Sequence, residues 1–207
     1  MPLKTLVNDN TLAWAVWYIA EDERTLTAEI SPYEAVPQGT SNEKKRLEFL
    51  AGRVVLKSLL RQWNLSFKGL TKDEFGKPFF KEHPVQLSLS HSFPYVAAAI
   101  HRTRHVGIDL EQPKPKLLSI GPRVLAPEEL TDAGSDVIKH CIYWCAKEAM
   151  IKYHGKKDLT FAKDLKIESF TRFTHGPMTG RIIATGMTET LSLYYRVYDN
   201  FVLVLTN

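Results

Sequence analysis

The chain of 207 residues lacks the features that define disulfide-rich, zinc-binding or membrane-spanning proteins. Its two cysteines, Cys141 and Cys145, are one predicted helical turn apart, where they cannot easily bridge and lack further zinc ligands. We expect both to be buried small hydrophobic residues. No apolar run approaches the length of a membrane span, and the first residues lack the apolar core and cleavage site of a secretory signal. These absences predict a soluble, cytoplasmic protein without a membrane partner.

Charge of one sign is not concentrated in any segment. The 27 Lys and Arg residues and 23 Asp and Glu residues give a net charge of +4, spread along the chain. A mildly basic balance favours anionic partners, including nucleic acid, acidic proteins and phosphorylated cofactors, and selects none of them. Since no basic arm is present, we expect no nucleic-acid partner.

Residues 144–155 have the composition of one helix, with Gly155 as its stop signal. Trp144, Glu148 and Lys152 recur at intervals of four and therefore lie on one face. This places a carboxylate between an aromatic ring and an ammonium group. A surface Glu–Lys pair above a buried tryptophan would give the same pattern.

A second stretch, residues 106–111, alternates with the period of a β-strand. Asp109 and Glu111 then lie side by side on one face, where they repel each other unless a cation or solvent lies between them. Mg²⁺ binds one or two carboxylates together with water and substrate phosphate, and Asp109, Glu111 and Glu148 could offer that set. The solvated end of an edge strand is the alternative.

The remaining elements were assigned from apolar periodicity and turn residues. We predict a central strand within 11–21, a long helix from Ser41 to about Trp63, a hairpin pairing 95–100 with 106–111, a short helix at Pro127, a strand at 161–170, and a meander of 180–185, 191–198 and 201–205.

The two halves are alike in outline, because each supplies a strand, a long helix and a glycine-lysine turn leading to further strands. We predict an α+β fold of two similar α/β halves, 1–111 and 112–207, each with a long helix against a small antiparallel sheet. A pseudo-two-fold axis would relate them, with a ligand cleft between them. Ordinary recurrence of α+β units is the alternative.

Two further segments carry groups suited to phosphate. Gly76 and Pro78 mark a turn that holds Lys77 between them. Residues 87–92 place small hydroxyls, including Ser90, and His91 at a strand end, where they could cradle a phosphate, although a single histidine there is commonly structural.

Together these segments resemble the 4′-phosphopantetheinyl transferase superfamily, in its surfactin-type branch with two halves in one chain. The similarity covers about residues 46 to 155 and is carried by Gly52-Arg53, Phe75-Gly-Lys-Pro78, Leu89-Ser-His-Ser92, Val106-Gly-Ile-Asp-Leu-Glu111 and Trp144-Cys-Ala-Lys-Glu-Ala-Met-Ile-Lys152.

The resemblance implies an enzyme that moves the phosphopantetheine arm of coenzyme A onto a serine of an apo acyl, peptidyl or aryl carrier protein, releasing adenosine 3′,5′-bisphosphate. It assigns Asp109 and Glu148 to Mg²⁺, with Glu111 as third ligand or water-mediated neighbour. Lys152 would neutralise pyrophosphate charge, and Glu148, or a water it orients, would accept the serine proton. These implications make Asp109, Glu148 and Lys152 the catalytic set.

The resemblance also assigns coenzyme binding to Arg53, Lys77, Pro78, Ser90 and His91, with His91 at the 3′-phosphate. It further implies a monomer, because two halves lie in one chain. The first alternative is a non-catalytic module of the same fold that binds coenzyme A or a carrier protein. The second is a Mg²⁺-dependent phosphohydrolase or nuclease that uses the same acids.

Overall fold

Two units, each with its own antiparallel sheet and apolar core, make up the chain. The computed structural model describes residues 3–156, 158–184 and 186–206, apart from the side chain of Leu3. By internal contacts the units are Met1–Val106 and Gly107–Asn207. The predicted limits, 1–111 and 112–207, place the boundary after Glu111 instead, and the two divisions differ on residues 107–111.

The first unit combines a four-stranded sheet, a two-stranded ribbon and two helices. In chain order its elements are β1 (Leu3–Asn8), β2 (Leu12–Tyr18), α1 (Glu23–Ile30), α2 (Glu43–Gln62), β3 (Leu70–Lys72), β4 (Pro78–Phe80), β5 (Gln86–Ser92) and β6 (Tyr95–His101). The sheet order is β1-β2-β6-β5, and β3 pairs with β4. The predicted central strand and long helix are therefore confirmed.

Helix α2 packs on β6, the most deeply buried strand of the first unit. Ala97, Ala98 and Ala99 have no exposed surface, and the small side chain of Ala98, which belongs to the same core cluster as the buried residues of α2, lets the helix approach the sheet closely. The helix begins at Asn42, whose side-chain oxygen accepts a hydrogen bond from Lys45 N at 3.2 Å. Local capping and apolar periodicity thus agree on this element.

The second unit consists of one five-stranded sheet and four helices. Its elements are β7 (Ile108–Glu111), α3 (Lys116–Val124), α4 (Pro127–Ala133), α5 (Val137–His154), α6 (Phe161–Asp164), β8 (Leu165–Ile167), β9 (His175–Ala184), β10 (Met187–Val197) and β11 (Val202–Thr206). The sheet order is β7-β11-β10-β9-β8. The helix at Pro127 and the meander are confirmed, while Thr185, the end of one predicted strand, lies outside the described residues.

Two predicted elements were wrong. The hairpin of 95–100 with 106–111 does not form, because β6 pairs with β2 and β5, whereas β7 pairs with β11. Residues 161–170 are not one strand but helix α6 followed by the short strand β8. The apolar pattern marked a buried strand at 106–111 correctly, whereas within 161–170 only Leu165 and Ile167 are buried. In neither case could the pattern identify the strand's partner or its length.

Gly107 sets the distance between β7 and α5. A Cβ at this position would lie 1.9 Å from the backbone oxygen of Ala149 on α5, so only glycine fits. Its N–H donates to Thr206 Oγ1 at 2.8 Å, and its carbonyl accepts from Thr206 N at 2.9 Å. The start of β7 is thereby held between β11 and the helix.

The α+β class is thus observed, with a long helix against an antiparallel sheet in each unit. The pseudo-two-fold relation and the ligand cleft predicted with it stay predictions. Among the described residues, no helix has both the length and the apolar character needed to span a bilayer.

Candidate functional site

Asp109 on β7 and Lys152 on α5 form the centre of a charged cluster in the second unit. Lys152 Nζ lies 2.6 Å from Asp109 Oδ1 and also donates to the carbonyl of Ile108 at 3.2 Å. Asp109 is only 5% exposed. The close contact at Gly107 explains this arrangement, because it brings the strand near enough for the helix side chain to reach the carboxylate.

Glu148 lies one turn before Lys152 and shares its surroundings with both acids of β7. Burial raises the pKa of Glu148, and the charge of Asp109 and, less strongly, that of Glu111 raise it further, while Lys152 lowers it. These four groups are therefore near enough in the second unit for the other three to affect ionisation of Glu148, while their role as a metal site stays a prediction. A site in which two neighbouring carboxylates disfavour ionisation of Glu148 suits a cation.

The two cysteines attach α5 to the strands that carry and flank these acids. Cys141 Sγ donates to the carbonyl of Glu111 at 3.6 Å, and Cys145 Sγ to that of Val202 at 3.9 Å. Both thiols are fully buried, as predicted. Burial raises the pKa of Cys145 strongly, with further contributions from Cys141 and Asp109, so this thiol stays protonated.

The carboxylates do not form a closed metal cage. Within residues 3–156, 158–184 and 186–206, no group of three or more His, Cys, Asp or Glu side chains is arranged to hold an ion. Mg²⁺ commonly takes only one or two protein carboxylates and completes its shell with water and substrate phosphate. The donor chemistry of Asp109, Glu111 and Glu148 therefore fits Mg²⁺, with part of the shell coming from outside the protein.

Lys147, between the aromatic and acidic residues of the same helix, is fully buried. Its Nζ lies 2.6 Å from Glu129 Oε2 and donates to three carbonyls, those of Val124, Phe161 and Leu165, at 2.9–3.0 Å. Burial lowers the pKa of Lys147, and Glu129 opposes that shift. Lys147 has no predicted role, although its position among apolar helix residues indicates a buried lysine.

Trp144, at the start of the predicted face, packs on an aromatic partner. Its ring stacks on Phe161, with 5.8 Å between centroids and 18° between planes. Phe161 also supplies a carbonyl to Lys147, so α6 is attached to α5 at two adjacent places. The tryptophan therefore fixes the helix next to Glu148.

In the first unit, three of the five residues predicted to bind the coenzyme line one cavity. This cavity has a volume of about 280 Å³ and is lined by Lys45, Glu48, Phe49, Gly52, Arg53, Leu89, Ser90, His91 and Val96. Arg53, Ser90 and His91 therefore lie together. Lys77 and Pro78 are not among the described residues that line it.

Arg53 is tightly held within this cavity. Its guanidinium carbon lies 3.5 Å from the ring centroid of Phe49, and its Nε lies 3.3 Å from Glu34 Oε2. Burial lowers the pKa of Arg53, while Glu34 acts in the opposite direction. Glu34 was not assigned a role from the sequence, and it orients the arginine.

Lys77 lies in the turn between β3 and β4, as predicted. Asp73 Oδ1 accepts hydrogen bonds from Phe75 N at 3.0 Å and Lys77 N at 2.8 Å, while Gly76 adopts a φ of 88°. Burial lowers the pKa of the Lys77 ammonium group, and Asp73 partly offsets this. An anionic ligand near Lys77 would raise this pKa again.

Two protein-family models together match most of the chain. A family model described as the 4′-phosphopantetheinyl transferase N-terminal domain matches residues 34–101. A second, described as the 4′-phosphopantetheinyl transferase superfamily, matches residues 105–204. The first match contains the cavity of the first unit, and the second contains the charged cluster.

Several curated proteins are similar to parts of the chain. The 4′-phosphopantetheinyl transferase HetI of Nostoc sp. (strain PCC 7120) is 36% identical over 124 residues, which is 53% of this chain and 52% of that protein. The 4′-phosphopantetheinyl transferase Sfp of Bacillus subtilis (strain 168) is 30% identical over 137 residues, or 61% of this chain and 58% of that protein. The chain thus spans about half the length of the curated relatives it matches.

Proposed function

Because the chain belongs to the 4′-phosphopantetheinyl transferase superfamily, we propose that it transfers the 4′-phosphopantetheine arm of coenzyme A to a serine of an apo carrier protein. The carrier would be an acyl, peptidyl or aryl carrier protein, and adenosine 3′,5′-bisphosphate would be released. The observation that carries this proposal is the clustering of Asp109, Glu148 and Lys152 within the family-matched second unit.

We propose Mg²⁺ as the cofactor, held by Asp109, Glu111 and Glu148. A divalent cation bound at this site together with a pyrophosphate would neutralise the charge that develops on the transferred phosphoryl group. Asp109 already neutralises Lys152, so the cation must share this carboxylate with the ammonium group. The donor types and their mutual repulsion support the assignment.

Glu148 would accept the proton of the incoming serine, directly or through a water. The serine Oγ forms a bond to the phosphorus that carries the pantetheine arm, and the bond from that phosphorus to the adenosine bisphosphate oxygen breaks. Lys152, one helical turn away, would neutralise charge on the bridging pyrophosphate. These roles require positioning and charge stabilisation, which a helix face provides with little movement.

The residues of the first unit would bind the adenosine end of coenzyme A. We assign its phosphates to Arg53, Ser90 and His91, with His91 at the 3′-phosphate. Lys77 and Pro78 would contribute from the turn that begins β4. The assignment of Arg53, Ser90 and His91 is supported by the cavity that they share. That of Lys77 is supported by its lowered pKa, because burial disfavours the charged form and an anionic ligand would favour it.

Intact-mass analysis of apo carrier proteins, incubated with the enzyme, coenzyme A and Mg²⁺, tests the proposal. We expect a gain of the phosphopantetheine mass on a serine, abolished by Glu148→Gln or Asp109→Ala. Glu168→Gln is the matched control, because it removes an exposed carboxylate paired with Arg181 on the same unit. Binding of coenzyme A without a mass gain on any carrier would support the non-catalytic alternative instead. Bisphosphate release without a carrier would support hydrolysis.

A further inference from the structure

Glu48 is a buried acid in a cavity to which we assign anionic ligands. Its side chain is 11% exposed, and both of its oxygens are engaged. Oε1 accepts a hydrogen bond from Phe93 N at 2.9 Å, and Oε2 lies 3.1 Å from His91 Nδ1. A carboxylate in this place would repel a phosphate unless it served another group of the cavity.

The contact between Glu48 and His91 determines where the imidazole carries its proton. An ionised carboxylate only accepts hydrogen bonds, so Nδ1 must be the protonated nitrogen that donates to it. Nε2, on the other side of the ring, is then left for a ligand. The His91 side chain is 58% exposed, and its contact with Glu48 orients the ring on its buried side.

We propose that Glu48 is a positioning residue for coenzyme binding, which fixes His91 in the Nδ1–H form and directs Nε2 to a phosphomonoester. The identity of that phosphate as the 3′-phosphate of coenzyme A rests on the proposed function, whereas the state of the ring does not. Protonation of Nε2 gives an imidazolium that neutralises Glu48 and presents an N–H to the phosphate. Lys45 and Arg53, which line the same cavity, add positive charge.

The electrostatics of Glu48 are consistent with this role. Burial acts to raise the pKa of Glu48, but the hydrogen bond and charge of His91, the N–H of Phe93 and the charge of Lys45 outweigh it, so the pKa lies below its ordinary value. The group therefore remains an ionised acceptor at neutral pH.

Glu48→Gln is the sharpest test, because an amide of the same shape has only one acceptor oxygen. If the NH₂ group faces Phe93 N, that N–H loses its acceptor; if it faces His91 Nδ1, that nitrogen can only accept, and the Nδ1–H form is no longer supported. Glu29→Gln is the matched control, since it removes the same charge from the first unit at an exposed pair with Lys57.

Imidazole ¹⁵N NMR of the free protein provides the first readout. We expect His91 to be protonated at Nδ1 when neutral, and to shift toward the Nε2–H form in Glu48→Ala, which removes the acceptor altogether. The control variant should keep the wild-type spectrum. An Nε2–H form in the wild-type protein would overturn the proposal, whatever reaction the protein catalyses.

Calorimetric titration with coenzyme A and dephospho-coenzyme A provides the second readout. We expect Glu48→Gln to weaken the binding of coenzyme A by about tenfold, in line with loss of a hydrogen bond to a charged group. The affinity for dephospho-coenzyme A should be nearly unchanged. In the background of His91→Ala, Glu48→Gln should have no further effect. Equal losses of affinity for both ligands, or additive losses of affinity in the double variant, would show that Glu48 does not act through His91.

These outcomes separate the two proposals. If no carrier protein is modified but the ¹⁵N spectra and the ligand preference behave as expected, only the transfer function fails. If carriers are modified but the ring is not in the Nδ1–H form, only the positioning role of Glu48 fails.

Discussion

Lys147 and Glu129 form a fully buried ion pair, with Nζ 2.6 Å from Oε2 and side chains that are 0% and 1% exposed. Glu129 also accepts from Ala126 N at 2.7 Å and from Ile167 N at 2.8 Å. Because each remaining polar atom of the pair has a partner, the pair can lie in the core without a large unmet desolvation cost. It connects α4 and β8 to the helix that carries Glu148.

Replacing Lys147 by Met should destabilise the protein by about 3–5 kcal/mol, because it leaves the carboxylate of Glu129 buried without its cation. Urea unfolding followed by circular dichroism measures this change. Lys166→Met breaks an exposed pair with Glu128 and should cost less than about 1 kcal/mol. The double variant Glu129→Gln/Lys147→Met should be more stable than the single Lys147 variant. An unchanged urea midpoint for Lys147→Met would show that the pair contributes nothing.

Gly107→Ala should reduce both stability and activity. Its Cβ would meet the carbonyl oxygen of Ala149 at 1.9 Å, so β7 and α5 must separate and Asp109 must move away from Lys152. We expect a loss of at least about 2 kcal/mol in unfolding free energy, as for other overpacked sites.

Gly52→Ala is the control. Its new Cβ meets Leu89 at 3.5 Å, an ordinary contact, and the helix gains about 0.5–1 kcal/mol in propensity. Equal stability of the two variants would contradict the crowding at Gly107.

The stability contributed by Asp136 should disappear in acid. Burial acts to raise the pKa of this N-cap carboxylate, but hydrogen bonds from Lys139 N and Ile138 N and the pair with Arg172 more than reverse that effect. Since the folded pKa lies below the ordinary value of 3.8, the contribution is present above that value and is lost as the pH falls through the folded pKa.

Urea titrations of wild type and Asp136→Asn at a series of pH values measure this contribution. The difference in unfolding free energy should be constant near neutral pH and shrink below about pH 4. Asp136→Ala additionally removes the cap and should cost about 1 kcal/mol more. A difference that grows toward acid pH would reverse the sign of the shift and refute the explanation.

Lys152→Met should impair transfer far more than folding. The Lys152 side chain is 26% exposed and that of Asp109 only 7%, so loss of the ammonium group leaves a largely buried carboxylate, and we expect a cost of about 1–3 kcal/mol. Loss of its charge at the developing transition state should lower kcat by about 100-fold or more. Carrier-protein labelling rates and urea midpoints, measured on the same preparation, test both parts. A variant that labels carriers at the wild-type rate would remove Lys152 from the catalytic set.

The local features of the charged cluster could be predicted from the sequence because helix and strand periods are local properties. The spacing of Trp144, Glu148 and Lys152 placed them on one helix face, and Gly155 ends that helix in the left-handed conformation with a φ of 80°. The alternation at 106–111 likewise placed Asp109 on the strand face that meets the helix.

Strand partners could not be predicted in the same way. The polar residues 102–105 suit a tight turn between two paired strands. Instead they connect β6 of the first sheet to β7 of the second. The partner of Glu111 is Val202, which follows nearly the whole second unit in sequence. Period-two alternation indicates a strand and a buried face, and it contains no information on the neighbour across the hydrogen bonds.

Partners of buried charges were also missed for lack of a local signal. Glu48 and His91 lie 43 residues apart, and only packing of α2 on its sheet brings them together. Lys147 follows Tyr143 by four residues and precedes Met150 by three, and both of these residues are fully buried. A lysine on an apolar helix face needs a buried acid, and that reasoning could have led to Glu129.

Strand β8 is the outermost strand of its sheet, and two of its backbone groups are occupied by side chains. Lys147 Nζ takes the carbonyl of Leu165, and Glu129 Oε1 takes the N–H of Ile167, where a further strand would otherwise hydrogen-bond. These two bonds make that edge a poorer template for edge-to-edge aggregation between copies of the protein.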